Sequence, residues 1–343
     1  MRAALVVPGK PDLAEVVEWE APAPVDGEVL VEGLLVGMCG TDVEIIRDGF
    51  GTPPPGRDSM VPFHESLGRV LSAPADSGLA VGDLIAGVVR RPDPVPCEAC
   101  AVDAWDFCQN GRYTERGIKE LHGYGMQQWT VPQKFAVKLD PTLGDLGVLT
   151  EPASVVAKAW EQARLNLRRA HLTPRSALIT GAGPIGLLAA LLATQRGLDV
   201  HVVDRAESGR KPDLVRALGA TYHSSVDTVD ASIDVAIECT GVAELIWTAA
   251  RRAAVTVLTG LTGDKTTFAA DRHVFDDVVL HNRVIVGSVN AGLGDWRTAA
   301  GALAAADRTW LSGLITRRLP LDRFTDALER RPDDVKVVID LQA

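Results

Sequence analysis

Apolar residues follow two different rhythms along the chain. Up to about residue 150 they come in short runs closed by turn residues, as in Val29 to Val36 between Asp26-Gly27 and Cys39-Gly40, and again in Leu67 to Leu71. Such runs predict short strands. Proline-rich stretches, Thr52-Pro53-Pro54-Pro55-Gly56 and Arg91-Pro92-Asp93-Pro94-Val95-Pro96, separate them. From Glu151 the texture changes. Ala153 to Leu167 is rich in helix formers and carries Val156, Trp160 and Ala163 at i, i+4 and i+7, which predicts a helix. Strand-like and helical runs then alternate: Ala177 to Thr180, Leu187 to Arg196, Val200 to Val203, Leu214 to Leu218, Val235 to Glu238, Val255 to Leu258 and Val284 to Val286. That alternation predicts an α/β unit with a parallel sheet wrapped by helices. After Asn290 the pattern returns to helix, turn and a last strand over Val335 to Leu341.

The junction of the first strand and helix of the alternating region is glycine-rich: Gly181-Ala182-Gly183-Pro184-Ile185-Gly186 follows Thr180 directly. In this setting the first glycine permits a tight turn and the second lets backbone approach a pyrophosphate. The third lets helix and strand pack closely. A purely structural glycine turn is the bland alternative. The next strand ends in Asp204, eighteen residues after Gly186, where a carboxylate would hold ribose hydroxyls. Asp204 points to NAD, while Arg205, Arg210 and Lys211 offer partners to the 2′-phosphate of NADP or are simply a solvated basic turn. NAD is the preferred cofactor on this reading, with NADP also open. Ser176 to Thr194 has no charge over nineteen residues, but its three glycines and one proline suit the loop rather than a membrane span.

The 343 residues predict about two domains. With 46% hydrophobic and 23% charged residues, the chain has material for large cores. A net charge of -10 repels phosphate backbones and argues against a nucleic-acid partner. The apolar run Ala3 to Val7 is too short for a signal-peptide core, so a cytoplasmic location is expected. Three of five cysteines, Cys97, Cys100 and Cys108, fall within twelve residues, which in that compartment suggests metal rather than disulfides. Asp93 is the nearest upstream carboxylate for a fourth position, with Asp103 and Asp106 inside the loop; a lobe without metal is the alternative. Cys39-Gly40-Thr41-Asp42 and Phe63-His64-Glu65 offer thiolate, imidazole and carboxylates, a ligand set suited to zinc with an open position. Taken singly, His64 could equally be a core histidine and Cys39 a small buried hydrophobe. Cys239 reads as a buried core residue.

These motifs, with Glu238-Cys239-Thr240-Gly241, occur in the order seen in zinc-dependent medium-chain dehydrogenases. Tyr113-Thr114-Glu115-Arg116-Gly117-Ile118, Leu121-His122-Gly123-Tyr124, Leu149-Thr150-Glu151-Pro152 and Gly287-Ser288-Val289-Asn290 resemble the glucose 1-dehydrogenase branch, which oxidises aldoses at C1 to lactones. The resemblance implies a GroES-like β-rich catalytic domain from residues 1–154 and 291–343, and a Rossmann dinucleotide-binding domain over 155–290. It implies catalytic zinc on Cys39, His64 and Glu65, with Glu151 as a further or exchanging ligand. Thr41 would contact the reacting hydroxyl and Glu115 a neighbouring sugar hydroxyl; Thr240 and Asn290 would meet the cofactor. A homodimer or homotetramer is expected. Three departures stand out. Pro94 takes the place of the first lobe cysteine, which leaves Asp93 as substitute. Phe63 replaces a glycine. Asp295 stands where sugar-oxidising relatives carry a substrate-touching histidine. Asp295 therefore keeps another polyol, amino-cyclitol or secondary alcohol in view, and a catalytically silent redox sensor is the reading from a different class.

Overall fold

The computed structural model describes residues 1–261 and 272–343. Among these the chain forms two units, one from Met1–Glu151 with Gly292–Ala343 and one from Pro152–Ala291.

The first unit is built on a mostly antiparallel sheet in the order Ala136–Lys138, Leu84–Gly87, Glu65–Ser72, Glu28–Met38, Lys336–Asp340 and Ile315–Pro320, with Gln128–Pro132 also paired to Glu28–Met38. Its central strand explains where the chemistry sits. Residues 28–34 alternate between buried and half-exposed, whereas Leu35 to Met38 are all buried. Period-two alternation marks a sheet with one solvated face. Its loss marks the point where the strand enters the interior, and Cys39 follows immediately. Trp105, Trp129, Tyr124, Phe63 and Phe324 fill this interior almost without exposure, each contributing the large apolar burial of an aromatic ring.

The second unit is a six-stranded parallel sheet in the order Thr221–His223, Asp199–Val203, Ser176–Thr180, Ile233–Glu238, Ala253–Leu258 and Val284–Gly287. This is the strand order of the doubly wound dinucleotide fold, with the order reversing beside Ser176–Thr180. Every residue of that central strand is buried, as a strand covered on both faces requires. The uncharged run proposed to avoid a membrane is this strand, its glycine loop and the helix Pro184–Thr194, whose residues Gly186 to Ala193 are all buried. No helix among the described residues is long and apolar enough to cross a membrane.

Candidate functional site

In the first unit, Cys39 ends the central strand and caps the helix Gly40–Asp48. Asp42, at the third position of that helix, accepts the Cys39 N–H at 2.8 Å. Its other oxygen accepts the Phe63 N–H at 3.2 Å and stands 3.6 Å from His64 Nδ1. One buried carboxylate thus ties together the two segments that carry the chemistry. Cys39, His64 and Glu65 come together with one donor atom each, all within 4.8 Å of one another. Thr41 Oγ1 lies 3.9 Å from Cys39 Sγ.

The electrostatics of this cluster favour a cation. Burial alone would depress the His64 imidazole, yet Asp42 and Cys39 carry its pKa well above the usual value. His64 Nδ1 is buried without a hydrogen-bond partner among the described residues. That nitrogen faces Asp42, and the set of a thiol, an imidazole and a carboxylate gathered at one point is the donor chemistry that holds a zinc ion. Burial, together with the charge of Glu65, pushes the Glu151 carboxyl up to about 7, against the pull of His64 and Lys336. Glu151 therefore belongs to the same electrostatic cluster, although the tight donor group is Cys39, His64 and Glu65.

Sequence reasoning missed Lys336. Its ammonium donates to both oxygens of Glu65 at 2.6 and 2.7 Å and to the Met38 carbonyl at 3.2 Å. Lys336 is buried. Burial works against its charge, but Glu65 and Cys39 hold it protonated. The only sequence signal was one lysine inside the apolar run Val335 to Leu341.

The cysteine lobe brings Cys97, Cys100 and Cys108 within the same 4.8 Å criterion. Backbone amides of Gln109 and Cys100 stabilise the Cys97 thiolate and lower its pKa to about 6, whereas burial pushes Cys100 up to about 11. Amides already aimed at sulfur suit a structural zinc. Asp93 stands outside this donor group. Its carboxylate accepts from Val95 N at 2.8 Å, Asn110 Nδ2 at 2.9 Å and Arg112 Nε at 3.1 Å.

Two further residues singled out in the sequence have structural partners. Glu115 is buried and pairs with Arg90 Nε at 2.9 Å. Asp295 starts the helix Leu293–Ala305 by accepting the Gly292 N–H at 2.9 Å.

In the second unit each glycine of the loop has its own reason. Gly181 sits at φ 89°, and a methyl there would meet Thr240 Cγ2 at 2.9 Å. At Gly186 it would meet the Gly181 carbonyl oxygen at 1.7 Å. Gly183 faces open space, and Gly183, Pro184 and Ile185 keep partial exposure. The loop thus closes tightly on itself while one face stays accessible at the start of a helix, an anion-binding arrangement. Asp204 accepts from Ala182 N at 2.8 Å and Ala206 N at 3.2 Å, with Lys211 Nζ at 3.5 Å.

Glu238 is buried and gathers Thr180 Oγ1 at 3.1 Å, Thr240 N at 2.7 Å, Gly241 N at 3.1 Å and the Thr240 hydroxyl at the carboxyl ends of two neighbouring strands. Asn290 takes the left-handed conformation at φ 60° and accepts the Ala291 N–H at 2.8 Å, a conformation asparagine tolerates. Cys239 is half-buried rather than a core residue, because it lies just past the end of its strand.

Comparison with known proteins gives a consistent result. Residues 144–341 match the family described as Glucose dehydrogenase C-terminus, and residues 25–141 match the Alcohol dehydrogenase GroES-like domain. A glucose 1-dehydrogenase of Methanocella arvoryzae is 34% identical across 100% of both chains. Glucose 1-dehydrogenase 1 of Caldivirga maquilingensis is 37% identical across 99% of both. The structure of Haloferax mediterranei glucose dehydrogenase in complex with NADP, zinc and gluconolactone superposes with a TM-score of 0.89 at 32% identity, covering 99% of each chain.

Proposed function

The chain belongs to the glucose dehydrogenase family of zinc-dependent medium-chain dehydrogenases, and from that premise we propose that it oxidises an aldose at C1 to the lactone with NAD(P) as hydride acceptor. The observation that carries this reading is the convergence of Cys39, His64 and Glu65, one donor atom each within 4.8 Å, with the Asp42 carboxylate beside the imidazole. Those three residues would hold the catalytic zinc, with Glu151 as an exchanging ligand. When bound, zinc polarises the substrate hydroxyl and lowers its pKa, and the nicotinamide takes up the hydride from carbon.

The chain's own residues prepare that step. Asp42 fixes His64 and the helix start that presents Thr41. Thr41 would relay the proton, its Oγ1 accepting the one from the substrate hydroxyl as its own hydrogen leaves to water. Lys336 neutralises and orients Glu65, an outer partner of the kind that tunes a metal site. Glu115, held by Arg90, meets a neighbouring sugar hydroxyl, and Asp295 lies next in line as a selector among sugars and other polyols. Glu238 orients Thr240 toward the cofactor, the glycine loop takes the pyrophosphate, and Asn290 meets the nicotinamide end. The partly compensated charge of Asp204 supports use of both NAD and NADP. Cys97, Cys100 and Cys108 hold a second, structural zinc, with Asp93 as the fourth ligand if it turns from its present partners.

Five unpaired cysteines suit a reducing, cytoplasmic compartment. Association into a homodimer or homotetramer is supported by exposed Phe275, Val279 and Leu280 and by the strand Val284–Gly287, which ends its sheet among the described residues.

The test is nicotinamide reduction by the zinc-replete protein with NAD and NADP across glucose, galactose, xylose, glucosamine, inositols and secondary alcohols. Turnover of an aldose is expected; activity confined to a cyclitol or simple alcohol would overturn the sugar assignment. Cys39→Ala should lose zinc and activity together. An active, zinc-free variant would sink the metal scheme.

A further inference from the structure

The short edge strand Thr221–His223 lies beside Asp199–Val203 and holds the turn that follows it. Asp204 N donates to the His223 carbonyl at 3.1 Å. One residue earlier on the edge strand, the Tyr222 hydroxyl is shared between the Asp204 carbonyl, at 2.9 Å, and the Ala206 carbonyl. The residue between those carbonyls is Arg205. It is exposed and makes no hydrogen bond or ion pair among the described residues. The neighbouring acid is anchored separately, because the Asp204 carboxylate is fixed to the glycine loop through Ala182 N at 2.8 Å and shares the charge of Lys211. Two opposite recognition elements therefore stand one residue apart, each with its own support.

We infer that Tyr222 is a positioning residue for cofactor choice: by tying the carbonyls on both sides of Arg205, it holds the backbone that offers this guanidinium to a 2′-phosphate. The inference rests on the dinucleotide reading of the glycine loop and deepens it. Burial and the charge of Asp204 push the phenol pKa up to about 12, so the hydroxyl remains a donor at working pH. Arg216 lies 5.7 Å from the ring centroid and packs the side chain in place. Loss of the hydroxyl frees the turn without touching the Asp204 carboxylate. A ligand carrying a 2′-phosphate then loses a preorganised cation, whereas one carrying a 2′-hydroxyl keeps its acceptor.

The experiment is fluorescence titration of NADPH and NADH on wild type, Y222F, R205A and the double variant, with thermal melting to establish folding. Y222F should raise the Kd for NADPH about five- to tenfold while NADH stays within about twofold. R205A should do the same, and the double variant should be little worse than either, the non-additivity of two residues acting as one. In turnover the loss should fall on KM for NADP rather than on kcat. An unchanged NADPH-to-NADH ratio in Y222F, additive effects, or R205A binding NADPH like wild type would each overturn the role of Tyr222. A wild type that binds neither dinucleotide would overturn the reading of the loop itself.

Discussion

Glu65 meets one cation among the described residues, Lys336, and both are buried. In the metal-free protein, replacing the lysine strands a carboxylate in the interior, so Lys336→Met should cost about 3–5 kcal/mol, read from urea denaturation in the presence of chelator. Adding Glu65→Gln should recover much of that loss. A single variant as stable as wild type would show that the pair does not hold the pocket. His122 makes a pH prediction. Its Nδ1 accepts the Val61 N–H at 3.1 Å, and burial with Arg57 and Arg116 nearby lowers its pKa to about 4 from 6.5. The unfolded chain therefore takes up this proton first. The stability associated with His122 is fully present above pH 6.5 and is lost as pH falls toward 4. His122→Phe should flatten the stability profile across that window, and an unaltered acid slope would refute the assignment. These residue-scale features separate what was legible in the sequence from what was not. Cys39, His64 and Glu65 were legible as a ligand set through their motifs, the dinucleotide loop elsewhere in the chain and the family resemblance, since singly Cys39 and His64 each suit a buried core position. Asp42 stood in the Cys39 motif, but its reach to Phe63, 21 residues on, and the pairing of Lys336 with Glu65 across 271 residues are defined only by the fold.

At the scale of elements, the parallel sheet was legible because most of its strands are continuous apolar runs. The strand predicted over Ala177 to Thr180 is observed over Ser176–Thr180, and that over Val235 to Glu238 spans Ile233–Glu238. The strand Thr221–His223 was missed. Three residues, none fully buried, show no periodicity, and only pairing with Asp199–Val203 makes them a strand. The glycine loop gives a contrast within one element. Gly186→Ala forces a methyl into the Gly181 carbonyl and should lower the melting temperature by several degrees, about 2 kcal/mol or more. Gly183→Ala meets nothing within 4 Å. It should leave the melting temperature nearly unchanged and weaken dinucleotide binding about tenfold, because its methyl occupies the space a pyrophosphate needs. Equal losses of stability from the two substitutions would contradict these separate roles.

Over the whole molecule, exposed Phe275, Val279 and Leu280 on the helix Arg272–Leu280 accompany the strand Val284–Gly287, which ends its sheet among the described residues. Both features attract association. If this surface is an association face, wild type should exceed the monomer mass in light scattering and the double variant Val279→Lys, Leu280→Glu should return it to that of a monomer with the circular dichroism intact; a monomeric wild type or an unchanged mass would refute the association face. The organisation of the first unit carries a different consequence. Its strand Lys336–Asp340 lies between Glu28–Met38 and the edge strand Ile315–Pro320. On the ribosome, the early strands must wait while the whole second unit is made before their neighbour arrives. The second unit is continuous in sequence, and Lys336 reaches Glu65 only after that unit has been made. Cys39, His64 and Glu65 are thus made together early, while the lysine that neutralises Glu65 is supplied only after the whole second unit has been made, so the carboxylate spends that interval without its partner.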